Sequence, residues 1–137
     1  MDYSNELEIA YQLVDSDKYS DALIYIEDIR KNGCDDVILD LYEALCIYEA
    51  KDDVECLRLI SKFLSRASKH RKREYALFTA GVCLMNLGLA NEALSTFEQV
   101  ADSYPNIESE RNEAKKALGL QKNGLKQYLK IVDQQDA

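Results

Sequence analysis

The stretch EYALFTAGVCLMNLGLANEALSTFEQVADSYPNI, residues 74–107, decides the fold. Gly88 lies near its middle, and glycine readily adopts the left-handed conformation in which many helices end. Pro105 is the only proline of the chain. It predicts the end of a helix, because proline cannot donate the next helical hydrogen bond. The stretch therefore predicts two helices joined by a turn at Gly88.

This stretch resembles the 34-residue tetratricopeptide repeat. Counted from residue 74, the motif positions 4, 7, 8, 11, 20, 24 and 32 hold Leu77, Ala80, Gly81, Leu84, Ala93, Phe97 and Pro105. Gly81 and Ala93 are small because the two helices of the motif cross closely there, and Phe97 fills the space beside the crossing. One position departs from the motif, since Val100 stands where alanine is usual.

The same pattern recurs upstream in weaker form. Residues 17–29, DKYSDALIYIEDI, align with residues 51–63, KDDVECLRLISKF, at an offset of 34 residues. The first two repeats carry Glu6 and Asp40 where the motif has a large apolar residue. We divide the chain into repeats 3–36, 37–73 and 74–107, of which the middle one holds three extra residues.

Residues 108–135 predict one more helix after the repeats. Apolar residues recur there at helical spacing, namely Ile107, Ala114, Leu118, Leu125, Tyr128 and Val132. Gly124 predicts a break or bend in it. We interpret the segment as a capping helix that covers the last repeat, with a partner-binding arm as the alternative. The resemblance implies an all-α fold, a single domain (1–137) built as a right-handed superhelical solenoid of about three helix pairs plus this cap.

In this family the first helix of each pair lines a concave face. The positions that would face it are mostly apolar and aromatic here: Leu7, Tyr11, Ile38, Leu41, Tyr42, Leu45, Tyr48, Tyr75, Phe78, Val82 and Met85. Exposed apolar patches of this extent mark binding sites, and tyrosine and methionine are enriched at interface cores. We predict a groove that binds an amphipathic helix or an apolar peptide. In the alternative, the chain's own tail or a second copy covers this surface.

One known ligand of the family is not expected. Some tetratricopeptide proteins clamp the C-terminal carboxylates of heat-shock chaperones with lysine, asparagine and arginine at five groove positions. Those positions hold Leu7, Tyr11, Tyr42, Tyr75 and Thr79 in this chain. None of these side chains supplies a positive charge or an amide, so a carboxylate would have no partner.

The net charge of −8 is unevenly distributed. Residues 1–55 hold 16 acids and 4 bases, whereas residues 56–73 hold seven bases and no acid. This basic run contains a candidate contact patch for an acidic partner, lipid headgroups or RNA, although a solvated charged surface is the simpler interpretation. The patch consists of Arg66, Lys69, Arg71, Lys72 and Arg73. The overall acidity argues against nucleic acid as the main ligand, because phosphates would be repelled.

The sequence offers no constellation for catalysis. It lacks the GxSxG, HExxH, phosphate-loop and dinucleotide-binding motifs. His70, the only histidine, lies among basic residues, so we expect a solvated loop residue rather than a general base. The four cysteines show no CxxC spacing. We predict that they are reduced and serve as small hydrophobic residues, with no metal site and no cofactor.

No run of the sequence approaches the roughly 20 apolar residues that span a bilayer. The N-terminus also lacks the basic segment of a signal peptide, so we expect a cytoplasmic protein. Our functional prediction is a non-enzymatic adaptor or chaperone that binds a protein or peptide. The alternative is a structural subunit of a larger complex, or a homo-oligomer, whose groove is permanently filled.

Overall fold

The computed structural model describes residues 2–135, and seven helices follow one another within that range. They are α1 (Ser4–Asp15), α2 (Tyr19–Lys31), α3 (Ile38–Glu49), α4 (Asp53–Arg66), α5 (Arg73–Asn86), α6 (Ala90–Glu98) and α7 (Ile107–Gln135). Consecutive helices pack as the pairs α1–α2, α3–α4 and α5–α6, and α7 packs on α6. The predicted all-α fold of about three helix pairs and a final helix is confirmed. The bounds of the individual repeats stay a prediction. The first two predicted repeats each enclose one helix pair, whereas α5 begins at Arg73, one residue before the third.

Each helix pair turns on one residue with a positive φ angle. These residues are Asp17 (61°), Lys51 (66°) and Gly88 (77°). Asp17 and Lys51 are 34 residues apart, and Lys51 and Gly88 are 37 apart. The second spacing is the repeat offset plus the three extra residues of the middle repeat. The turn predicted at Gly88 is therefore present, and the two earlier pairs turn at the equivalent position without glycine.

Helices α5 and α6 cross at Gly81. A Cβ atom on Gly81 would overlap the ring of Phe97, which is completely buried. Only glycine therefore lets the two helices approach to this distance. Leu77, Ala93 and Val100 are buried in the same cluster, which extends to Ile107 and Ala114 of α7.

The departure from the motif at Asp40 has a structural reason. Its buried carboxylate accepts a hydrogen bond from Arg30 of α2 at 2.9 Å and one from Arg66 of α4 at 3.3 Å. The Lys62 ammonium group lies 3.7 Å from the same carboxylate. A buried charge must be paired to be tolerated, and here three cations from two other helices surround it. Asp40 thus ties α2, α3 and α4 together by charge, where the motif uses an apolar contact.

Helix α7 caps the solenoid with its first half only. Arg111 donates hydrogen bonds to the carbonyl oxygens of Phe97 (3.1 Å) and Val100 (2.6 Å), near the end of α6. From Leu120 onward, the described side chains up to residue 131 are exposed. Of the break or bend predicted at Gly124, the break is wrong, because α7 continues through that residue, and the bend stays a prediction. A helical glycine costs only about 1 kcal/mol relative to alanine, which is too little to end a helix by itself.

The four cysteines are buried free thiols. Burial, aided by the charge of Glu43, raises the pKa of Cys46 to about 11. The Cys56 and Cys83 thiols hydrogen-bond each other between α4 and α5, and this contact, together with burial, raises the pKa of Cys83. All four cysteine side chains are buried in the core, where they act as small packing residues.

Candidate functional site: the concave groove

A hollow of about 460 Å³ opens on the face formed by α1, α3 and α5. We call it the concave groove. A volume of this size falls within the roughly 300–1,000 Å³ of ordinary ligand sites. Its wall consists of Tyr11, Val14, Asp15, Asp17, Tyr19, Leu41, Tyr42, Leu45, Tyr48, Glu49, Lys72, Tyr75, Phe78, Thr79, Val82 and Tyr104.

Eight of the eleven residues predicted to face a ligand lie around this groove, namely Tyr11, Leu41, Tyr42, Leu45, Tyr48, Tyr75, Phe78 and Val82. The other three pack elsewhere. Ile38 is buried in the core between α3, α4 and α5, and Leu7 packs against that core. Met85 packs against the cluster around Phe97. The structure thus brings most of the predicted residues together, and their role in binding stays a prediction.

Tyrosine dominates the wall of the groove. The rings of Tyr11 and Tyr42 lie 6.1 Å apart, and those of Phe78 and Tyr104 lie 5.2 Å apart, both in tilted arrangements. Burial raises the pKa of Tyr42, Tyr75 and Tyr104 above the ordinary tyrosine value. Their phenols are therefore neutral at physiological pH. Each ring offers an apolar face together with one hydroxyl that can donate a hydrogen bond.

Two of the wall tyrosines were not predicted from the sequence. Tyr19 begins α2, and Tyr104 lies in the loop before α7, so neither stands on the first helix of a pair. The Tyr19 hydroxyl donates a hydrogen bond to Asp17 Oδ1 at 2.7 Å, and this bond is the main reason why the pKa of Tyr19 rises to about 12. The turn at Asp17 brings Tyr19 to the groove, and the repeat offset locates that turn but not the side to which Tyr19 points.

The groove carries more negative than positive charge. Three of its wall residues are acids, Asp15, Asp17 and Glu49, and Lys72 is the one basic wall residue among those described. Asp15 and Glu49 are exposed at its edge. An apolar floor with an acidic edge favours a ligand that is apolar on one side and basic beside it.

The five basic residues proposed as a contact patch do not form one exposed surface, because three of them are engaged in other contacts. Arg66 is held by Asp40 and Asp35, both at 3.3 Å, and it also donates to the Asp35 carbonyl oxygen at 3.1 Å. Arg73 pairs with Glu74, and Lys72 lies in the groove wall. Lys69 and Arg71 are exposed in the loop between α4 and α5. A shared contact role for the five stays a prediction.

His70 differs from the expectation of a solvated residue. Its ring is half-buried and packs edge-on against Phe63, with ring centroids 5.2 Å apart. Its Nδ1 atom accepts a hydrogen bond from the backbone N–H of Lys72 at 3.0 Å. His70 therefore shapes the loop that leads into α5. Among residues 2–135, no three histidine, cysteine, aspartate or glutamate side chains lie close enough to hold a metal ion.

Comparison with known proteins agrees with the geometry of α5 and α6. Residues 75–106 match a family model described as a tetratricopeptide repeat, which confirms the resemblance found in residues 74–107. No curated protein and no solved structure matches the chain. Among the described helices, none is both long enough and apolar enough to cross a membrane.

Proposed function

Because the chain contains a tetratricopeptide repeat, we propose that it is a non-enzymatic adaptor or chaperone that binds an amphipathic helix or apolar peptide of a partner protein. Repeats of this family generally mediate protein interactions and usually carry no catalytic site. The observation that carries the proposal is the concave groove, whose apolar and tyrosine-rich wall is left open by the residues that the structure describes.

The wall of the concave groove suits an amphipathic helix as ligand better than it suits a partner with a flat polar surface. Leu45, Phe78 and Val82 are half-buried and form an apolar floor contributed by α3 and α5. Side chains at i, i+3, i+4 and i+7 of an amphipathic helix would leave water on entering this floor, and their burial is the main driving force. The tyrosine hydroxyls then provide hydrogen bonds for polar groups beside the apolar stripe.

A second candidate function is favoured by one observation. The apolar side chains in the second half of α7 stay exposed, including Leu125 and Ile131. Such a face is typical of a structural subunit of a complex or of a homo-oligomer. In this case the groove would be permanently filled by another subunit.

The proposal is tested by capturing partners from the source cells with the immobilised full chain. Tyr75 in the groove is 41% exposed, so Tyr75→Glu places a charge there without disturbing the core. We expect Tyr75→Glu to reduce partner recovery at least about tenfold, as does loss of an interface hot spot of roughly 2 kcal/mol. Mass spectrometry identifies the retained proteins, and circular dichroism checks that helicity is unchanged.

Ile24→Glu is the matched control, since Ile24 is an equally apolar exposed residue that lies on α2 and outside the groove. It should retain the partner at the level of the unmodified chain. Equal recovery by all three proteins would refute the groove as the binding site. A partner that always copurifies in a fixed ratio, together with aggregation of the chain alone, would favour the permanent subunit.

A further inference from the structure

The second half of α7 presents an apolar face that nothing in the described chain covers. Leu125 is 59% exposed, Tyr128 62% and Leu129 50%. Together with Val132 these residues fall at the i, i+3, i+4 and i+7 positions of a helix, so they share one side of α7. They continue the stripe formed by Ile107 and Ala114, which are buried against α6. The stripe is thus a packing surface whose first part is covered by α6 and whose second part extends beyond α6. We call this part of the stripe, which consists of the exposed Leu125, Tyr128 and Leu129 and the half-buried Val132, the free face of α7.

The charge around this free face is positive. Residues 120–132 contain three lysines and no acid. Lys122, Lys126 and Lys130 are exposed beside the free face. The second half of α7 is therefore a basic amphipathic helix. It belongs to a chain of net charge −8, whose residues 1–55 hold 16 acids and 4 bases.

The concave groove has the complementary character. Its floor is apolar, and Asp15, Asp17 and Glu49 in its wall outnumber Lys72. Tyr11 and Tyr75 remain exposed in it, ready to contact an inserted side chain. A basic amphipathic helix would place its leucines on the floor and its lysines at the acidic edge.

The chain cannot fill its own groove with this helix. Helix α7 is continuous, and its first half is fixed on α6. Gln121 Nε2 also donates a hydrogen bond to the Gly88 carbonyl oxygen at 3.0 Å, which fixes α7 beside the α5–α6 turn. No wall residue of the groove comes from α7. Since an unbroken helix does not fold back, the occupant must come from another molecule.

We propose that the occupant is a second copy of this chain, with the free face of α7 of each copy inserted into the concave groove of the other. The two contacts are reciprocal and related by a twofold axis, so the interface of this symmetric dimer is isologous. Pairing of α7 with α7 is disfavoured, because it would bring together three lysines of each copy, Lys122, Lys126 and Lys130. This inference rests on the proposed function of the groove as a helix-binding site. The helix that the groove prefers is then apolar on one side and basic beside that side.

The test is sedimentation velocity on the full chain across a concentration series. Leu129→Glu alters the free face of α7, Tyr75→Glu alters the groove, and Ile24→Glu is the control on another exposed surface. We expect the unmodified chain and the control to dimerise, and either of the other two variants to raise the dissociation constant at least tenfold. An equimolar mixture of the Leu129→Glu and Tyr75→Glu chains should form a heterodimer, since it contains one intact groove and one intact α7. Raising the salt from about 50 to about 500 mM should weaken the dimer by screening the charges.

Three results would overturn the inference. If Leu129→Glu abolishes the dimer and Tyr75→Glu does not, α7 pairs with α7. If the unmodified chain stays monomeric up to about 100 μM, the dissociation constant of the dimer is too high for the proposed pairing. If α7 instead binds vesicles containing anionic phospholipid and the chain stays monomeric, the free face of α7 serves a membrane surface. None of these results changes the outcome of the partner-capture experiment with Tyr75→Glu. Failure of the dimer proposal therefore remains distinguishable from failure of the groove as a binding site for a partner protein.

Discussion

The crossing of α5 and α6 and the second half of α7 contain the same kinds of residue, yet only the crossing is packed. Gly81 lies against the buried ring of Phe97, whereas a Cβ atom on Gly124 would meet nothing within 4 Å. Both regions are helical, and both carry an apolar stripe at helical spacing. The comparison teaches that periodicity predicts an apolar face but does not indicate what will cover it.

Among the substitutions that test this contrast, we expect Phe97→Ala to change the free energy of unfolding most. Phe97 is completely buried between α5, α6 and the start of α7. Its truncation should lower the free energy of unfolding by about 3–5 kcal/mol, because the loss of buried surface is joined by a cavity. Urea denaturation followed by circular dichroism measures this change.

Tyr128→Ala is the matched truncation in the second half of α7. Tyr128 is mostly exposed, so we expect its truncation to change the free energy of unfolding by less than about 0.5 kcal/mol. The measurement should be made at a concentration low enough to keep the copies apart, because association would add to apparent stability. A loss from Tyr128→Ala as large as that from Phe97→Ala would mean that α7 is packed along its whole length.

At the crossing itself, we expect Gly81→Ala to lower the stability less than Phe97→Ala does. Helix propensity alone would favour alanine by about 1 kcal/mol. The added methyl group would overlap the Phe97 ring, and overpacking of a core costs about 1–3 kcal/mol. We expect net destabilisation, and a second substitution that shrinks the ring, Phe97→Leu, should reduce the cost of the methyl group. A Gly81→Ala chain more stable than the original would show that α5 and α6 can separate without penalty.

The same contrast explains how far the sequence predicts this molecule. Residues 74–107 predict the fold well, because Gly81, Ala93 and Phe97 are needed at one close crossing and Gly88 at one turn. The earlier repeats were found through their offset, although Asp40 breaks the motif. Its substitute for apolar packing is a set of ion pairs with Arg30, Arg66 and Lys62 from other helices, and no spacing along the chain reveals that set.

The groove was predictable only where it is built from regular positions. Tyr42, Tyr75 and Phe78 stand on first helices at places that face inward, so the repeat motif locates them. Tyr19 and Tyr104 enter through a turn and a loop, whose path depends on tertiary packing. The same dependence explains the wrong prediction at Gly124, because the continuity of a helix depends on its whole length and not on one weak residue.

An effect of opposite sign, a gain in stability, is expected from Gly124→Ala. No atom lies within 4 Å of the added methyl group, so only helix propensity changes, and alanine is favoured by about 1 kcal/mol. The second half of α7 has few packing contacts and should open without global unfolding, so the gain should be local. Native-state hydrogen exchange should therefore show stronger protection of the amides in residues 120–132 and little change in α5. Unchanged protection there would indicate that another contact already fixes this segment, as a second copy of the chain would at high concentration. Repeating the measurement on the Tyr75→Glu chain, which should be monomeric, tests whether a second copy is that contact. If it is, the Gly124→Ala substitution should again increase amide protection there.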